Sequence, residues 1–272
     1  MPKKPKPSKQ KKSAITNPSP ADKYFDLIGQ QIIRGNYAQA VTHCERLLNY
    51  LPLHAPLRAD VLAQLGAAHG MLQNFPQSYD ALTQALALNP NNADLWYNRS
   101  TASGFTTRFG QALWDIERAS ELNTRSELTE KIAERLQACR EMAENSIKLR
   151  GPNFTLDQLI EQENLFQQGL ELMKVEKWEE SGQAFQASIA MGDCLPQPWG
   201  NLGACLMMQE RYDEAEVALR HALTIDPKYT FAKDNLAVLP EFRRTGPPDM
   251  FSLNEPFKYS KLKQSITFFK EE

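Results

Sequence analysis

The chain has 272 residues, 42% of them hydrophobic, with 13 Gly, 17 Pro and a formal net charge of −2. That length suits one large or two small domains, and no apolar run nears the ~18 residues that a membrane-spanning helix needs. Four cysteines (Cys44, Cys139, Cys194 and Cys205) are scattered without metal-ligand spacing, which points to buried thiols in a reducing compartment rather than to a zinc site.

Residues 1–20 carry six lysines and no acid, so residues 21–272 carry a net −8 (25 basic minus 33 acidic). This stretch is rich in Lys, Pro and Ser and has no aromatic residue, so it is expected to be a disordered basic tail. It has no apolar h-region and is not a secretory signal. It is read as a solubilising tail, with a basic arm for nucleic acid (Lys3 to Lys12) as the alternative.

A helix pair is predicted over 21–54, with Leu27, Ala40 and Pro52 at positions that recur below and Gly35 and Tyr37 at its internal turn. A second pair occupies 59–92 (Leu65, Gly66, Ala85, Pro90, with Phe75 at the turn), and a third occupies 93–126 (Trp96, Ala112, Ala119). Thr124 stands where a terminal proline is expected, and the regular spacing stops there. Residues 126–150 read as one helix of about 24 residues with Ser126 as its cap and an apolar stripe at Leu128, Ile132, Leu136 and Met142. Gly151-Pro152 ends it, and Thr155 to Gln158 reads as a capping box that opens a helix from about Leu156 to Val175.

The spacing resumes over 162–195, with Leu165, Gly169 and Phe185 in place, Trp178 at the turn, and Ser181 and Ser188 where alanine recurs elsewhere. It is clearest over 196–229. There Trp199, Leu202, Leu206 and Met207 share one helix face, Asp213 is placed to cap a second helix, and Ala215, Leu219 and Ala222 form its apolar face up to Pro227. A last helix is predicted over 230–239, cut short by Pro240. From Thr245 onward the chain holds five aromatic residues between proline breaks, and this tail is expected to fold back on the body, because exposed aromatic clusters are uncommon.

No phosphate-binding Gly-rich loop, H-E-x-x-H, G-x-S-x-G or C-x-x-C pattern occurs. The acidic residues fall at helix-surface positions, and His69 falls at a core position where a neighbour is expected to bond it. No catalytic residue, metal site or cofactor is predicted.

Trp199, Leu202, Gly203, Ala215, Ala222 and Pro227 together resemble the tetratricopeptide repeat, a 34-residue helix–turn–helix. The resemblance implies an all-α, right-handed superhelical solenoid of such repeats, with a long-helix insertion between two repeat groups. The organisation expected is a tail at 1–20, three repeats at 21–126, a connecting helix and turn at 127–161, two repeats and a capping helix at 162–239, and an aromatic tail at 240–272. In the family the first helices line a concave groove. The sixth position of the successive units holds Asp26, Gln64, Asn98, Gln167, Asn201 and Asn235, of which five are amides. An amide offers both donor and acceptor, as an extended peptide backbone requires. Gln64, Asn98, Gln167, Asn201 and Asn235, flanked by Tyr97, Phe105 and Phe166, are therefore the predicted peptide-binding residues. The cations with which some members grip a peptide carboxylate are missing, since Asp22, Asp60 and Asp94 hold the second position. The function implied is a non-catalytic cytoplasmic adaptor for a peptide or protein surface. The alternatives are a nucleic-acid-associated factor and an accessory subunit of an enzyme or secretion complex.

Overall fold

The structure is a computed structural model that describes residues 19–52 and 55–247. The Lys-rich arm within 1–18 and the aromatic segment 248–272 lie outside the described residues. Among those described there are twelve helices and no strand. Ten of the helices form antiparallel pairs. α1 (Pro20–Ile33) packs on α2 (Tyr37–Tyr50), α3 (Leu57–Met71) on α4 (Phe75–Leu88), and α5 (Ala93–Phe105) on α6 (Phe109–Leu122). After the single helix α7 (Ser126–Arg150) come the pairs α8 (Leu156–Lys174) with α9 (Trp178–Met191) and α10 (Pro196–Met208) with α11 (Tyr212–Ile225). The single helix α12 (Thr230–Thr245) ends the described chain.

The five pairs share one backbone turn. Gly35, Gln73, Thr107, Glu176 and Glu210 all adopt left-handed φ values of 58° to 77°. The residue after each sends its N–H back to a carbonyl of the first helix: Asn36 to Gln31, Asn74 to His69, Arg108 to Ser103, Lys177 to Leu172 and Arg211 to Leu206, at 2.9–3.0 Å. This six-to-one closure satisfies the orphan carbonyls at a helix end and reverses the chain. An aromatic residue then opens each second helix, without a side-chain cap. Asp213 is therefore not the cap expected of it; Arg211 holds that place, because the backbone closure leaves no room in the chain for an additional capping residue.

Small residues let the paired axes approach. A β-carbon placed on Gly66, Gly169 or Gly203 would lie 2.6 Å from Leu82, Phe185 or Leu219 respectively. These large side chains fill the space opposite each glycine and are themselves fully buried. Serine joins several of the pairs. Ser78 Oγ donates to the Gly66 carbonyl at 2.8 Å, Ser181 Oγ to the Gly169 carbonyl at 2.8 Å, and Ser100 Oγ to the Ala112 carbonyl at 2.8 Å. Ser181 thus does more than preserve closeness where alanine recurs elsewhere: it satisfies its own buried hydroxyl across the pair.

Three apolar cores follow one another along the array. The first joins α1, α2 and α3 around Ile28, Ile32, Cys44 and Val61. The second runs from α3 to α8 around Leu82, Ile116, Ile132 and Leu159. The third runs from α8 to α12 around Phe185, Met207, Leu219 and Phe231. α8 belongs to two of them: Leu159 enters the second core and Leu170 and Met173 the third. It is the beam between the repeat groups, opened by the capping box in which Thr155 Oγ1 accepts from Gln158 N at 3.2 Å and Gln158 Oε1 accepts from Thr155 N at 2.9 Å.

α7 stacks on α6 in the place that the first helix of a next repeat would take. Leu128, Ile132 and Cys139 face the core, and Arg135 Nη2 donates to the Ser100 carbonyl at 2.9 Å. Ser126 is its first helical residue rather than its cap; Arg125 holds that position without a side-chain hydrogen bond. α7 and α8 touch only sparingly, and α8 instead pairs with α9 and crosses α6.

Two further expectations are corrected. α12 does not stop before Pro240 but runs through it to Thr245. Pro240 lies on the exposed side, while Leu239 before it and Phe242 after it pack onto the third core. Arg243 pairs with Asp213 at 2.7 Å and with Glu216 at 3.1 Å. His69 is half-buried, and its Nδ1 has no hydrogen-bond partner among the described residues, where a bonded neighbour was expected. Burial lowers its pKa, so the ring is held in its neutral form, the form for which an unpaired nitrogen costs least.

Candidate functional site

The stacked first helices carry the predicted peptide-binding residues, but in different states. Tyr97, Asn98, Gln167, Asn201 and Asn235 retain only 4–7% exposure, whereas Gln64, Phe105 and Phe166 are half-buried. α5 is buried continuously from Leu95 to Gly104 and α10 from Gly200 to Met207. Asn98, Gln167 and Asn235 are already engaged. Gln167 Nε2 donates to the Thr106 carbonyl at 2.9 Å, which ties α8 to the turn before α6, and Asn235 Nδ2 donates to the Phe231 carbonyl of its own helix at 2.8 Å. Phe105 stacks on Phe75 with centroids 4.2 Å apart. Asn201 differs: its side-chain amide makes no hydrogen bond to a described residue although it is almost wholly buried. Gln64 is likewise without a side-chain hydrogen bond.

A second feature opens where the array is interrupted. Because α7 stacks on α6 without a hairpin partner of its own, its C-terminal half stands apart from α8. A cavity of about 490 Å³ lies between them. Met142, Leu149 and Arg150 of α7 form one wall, and Gln162, Glu163 and Phe166 of α8 the other. Thr107 and Phe109 close one end, and Leu195, Gln197 and Pro198, at the start of α10, close the other. The surface is mostly apolar, with a few polar groups converging on it, which is the usual make-up of a ligand cleft of this size.

Those polar groups are held by the two walls. Glu163 accepts from Phe109 N at 2.8 Å and from Gly110 N at 3.0 Å, so its carboxyl caps the N-terminus of α6 from a different helix. Burial raises its pKa to about 8, while the two backbone hydrogen bonds act in the opposite sense. Gln162 Nε2 donates to the carbonyls of Ser188 (2.9 Å) and Gly192 (2.8 Å), and its Oε1 accepts from Arg150 Nε. Arg150 Nη1 donates to the Ser146 carbonyl at 2.7 Å. The Gln197 Oε1 atom is buried and has no partner among the described residues.

Of this lining, sequence reasoning named only Phe166, as a residue of the peptide groove, and it missed Glu163, Arg150, Gln162 and Gln197. Arg150 lies outside the repeats; Glu163 and Gln197 hold the second position of theirs, like Asp22, Asp60 and Asp94, but Glu163 acts on Phe109 and Gly110, more than fifty residues before it. No local pattern reports such a contact.

Comparison with known proteins assigns the repeat. Residues 196–229 match the tetratricopeptide repeat family. No curated protein matches the chain by sequence. Among solved structures, it is similar to the P58(IPK) TPR domain (11% identity, 83% of this chain and 66% of that one, TM-score 0.44). It is also similar to YrrB, described as a TPR protein with an unusual peptide-binding site (18% identity, 80% and 92%, TM-score 0.35). A third similar structure is the TPR2AB domain of yeast Sti1 in its pHSP90 complex (13% identity, 80% and 84%, TM-score 0.38). No helix among the described residues is long and apolar enough to cross a membrane.

Proposed function

The chain is a tetratricopeptide-repeat protein, and from that premise we propose that it is a non-catalytic adaptor that binds an extended polypeptide along the face of its first helices. Asn201 carries this reading. Its side-chain amide makes no hydrogen bond to a described residue and is not among the buried atoms left without a partner, so it remains reachable from outside the fold. An amide left unpaired at the sixth position of the best-formed repeat is available to donate to, and accept from, one peptide unit of a partner. Gln64 offers the same pair of groups in the second repeat. Tyr97, Asn98, Phe105 and Phe166 flank this line, and Gln167 and Asn235, whose donors bond within the fold, support it. The buried, unpaired cysteines Cys44, Cys139 and Cys205 favour a compartment that keeps thiols reduced, the cytoplasm.

The experiment uses peptides selected from a random library against the full chain. Asn201→Ala combined with Gln64→Ala weakens their binding at least about tenfold, the loss of roughly one hydrogen bond to each amide, with the helical circular dichroism unchanged. Unaltered affinity in the double variant would discard the amide line.

A further inference from the structure

Arg150 is an incompletely matched cation in an apolar cleft. Its Nε and Nη1 are used by Gln162 and Ser146 and its guanidinium lies 5.6 Å from the centre of the Phe154 ring, but among the described residues Nη2 has no hydrogen bond and no carboxylate forms an ion pair with it. Glu163, the carboxyl on the opposite wall, is turned to the backbone N–H groups of Phe109 and Gly110. Glu141 is exposed at the rim, where water screens it. On the α10 side, the buried Gln197 Oε1 lacks a donor among the described residues. The same cleft is lined by Phe109, Met142 and Phe166. The cleft thus presents an unmet cationic donor, an unmet acceptor and an aromatic-lined apolar space.

We propose that this cleft is a binding site for a small aromatic carboxylate that also carries one N–H donor, as in an N-acylated aromatic amino acid. The carboxylate is received by Arg150, the N–H by Gln197 Oε1, and the ring by Phe109, Met142 and Phe166. A guanidinium with a free N–H edge suits a carboxylate better than a neutral group does. Burial lowers the pKa of Arg150, the mark of a cation short of solvation that an anion would restore. The site shares Phe166 with the Asn201 line, so its test is read at Arg150 and Gln197, which that line does not use.

The probes are N-acetyl-L-phenylalanine and its carboxamide, titrated calorimetrically into the full chain. The acid binds with a Kd of roughly 0.1 mM, within the range open to a ligand of this size, and the carboxamide binds at least tenfold more weakly. Arg150→Met abolishes the difference between the two probes, and Gln197→Leu weakens both. Arg150→Lys retains charge and tests whether any loss in Arg150→Met reflects disturbed packing of α7: it keeps a preference for the acid. Equal affinity for acid and amide, or no saturation up to about 10 mM acid, overturns the proposal. A peptide ending in phenylalanine that binds more than tenfold tighter than the acid also overturns it, by assigning the cleft to a polypeptide terminus.

Discussion

Asp115 shows how much one residue of α6 organises. It has no solvent exposure, and it accepts from Arg99 Nη2 at 2.6 Å and Nε at 3.0 Å, from Gln111 Nε2 at 2.8 Å and from Ser103 Oγ at 3.3 Å. Arg99 in turn lies over the Trp96 ring at 4.8 Å. Removing one partner of such a pair strands the other charge in the core, so Asp115→Ala is expected to cost about 3–5 kcal/mol in urea denaturation. Thr107 offers the opposite test. A β-branched residue at φ 60° is strained, and Thr107→Gly should gain about 1 kcal/mol in the same assay. At this scale the sequence was legible where small and large residues must alternate, as at Gly203 against Leu219. It was illegible at Gln73, Thr107, Glu176 and Glu210. These residues have no intrinsic preference for left-handed backbone; the closure of the helix pair imposes it.

Among elements, α8 and α12 depart most from what their sequences suggest alone. α8 is fixed to α6 by Glu163, whose pKa of about 8 exceeds the ordinary 4.5 of an unfolded glutamate. The folded state therefore binds the proton more tightly. This contribution is full below pH 4.5 and is lost as pH rises to about 8. Glu163→Gln should flatten the fall in stability across that window while lowering the variant's pH sensitivity nowhere else, as read from melting temperatures at stepped pH. α12 carries a proline that removes a backbone donor, and Pro240→Ala should stabilise the C-terminal repeat by about 1–3 kcal/mol, visible as slower amide exchange in α11 and α12. The proline was legible as a helix breaker, but the anchors beyond it were not, because Arg243 finds Asp213 and Glu216 only after α12 has packed on α11.

At the scale of the molecule, the second and third cores share one helix and little else. Glu161 lies between the part of α8 that enters the second core and the part that enters the third, and its side chain is exposed. Glu161→Pro breaks the backbone ladder at that point without removing a core side chain. The expected result is that one cooperative unfolding transition becomes two, followed by circular dichroism and by hydrogen exchange resolved along the chain. A single transition in this variant would mean that α6 and α7 couple the lobes without α8.

Periodicity alone determined that this chain is all-helical, which residues face inward in each pair, and that the repeat is lost after Thr124, because helical spacing, small-residue positions and proline stops are local properties carried in every 34-residue unit. Tertiary structure alone decided which amides remain unpaired, since whether Gln167 meets the Thr106 carbonyl depends on how α8 crosses the turn before α6. It also created the cleft, because a long helix without a hairpin partner leaves a gap whose far wall, at Leu195 to Pro198, comes from a distant part of the sequence. Such contacts depend on the docking of whole elements, and no single residue pattern encodes that geometry.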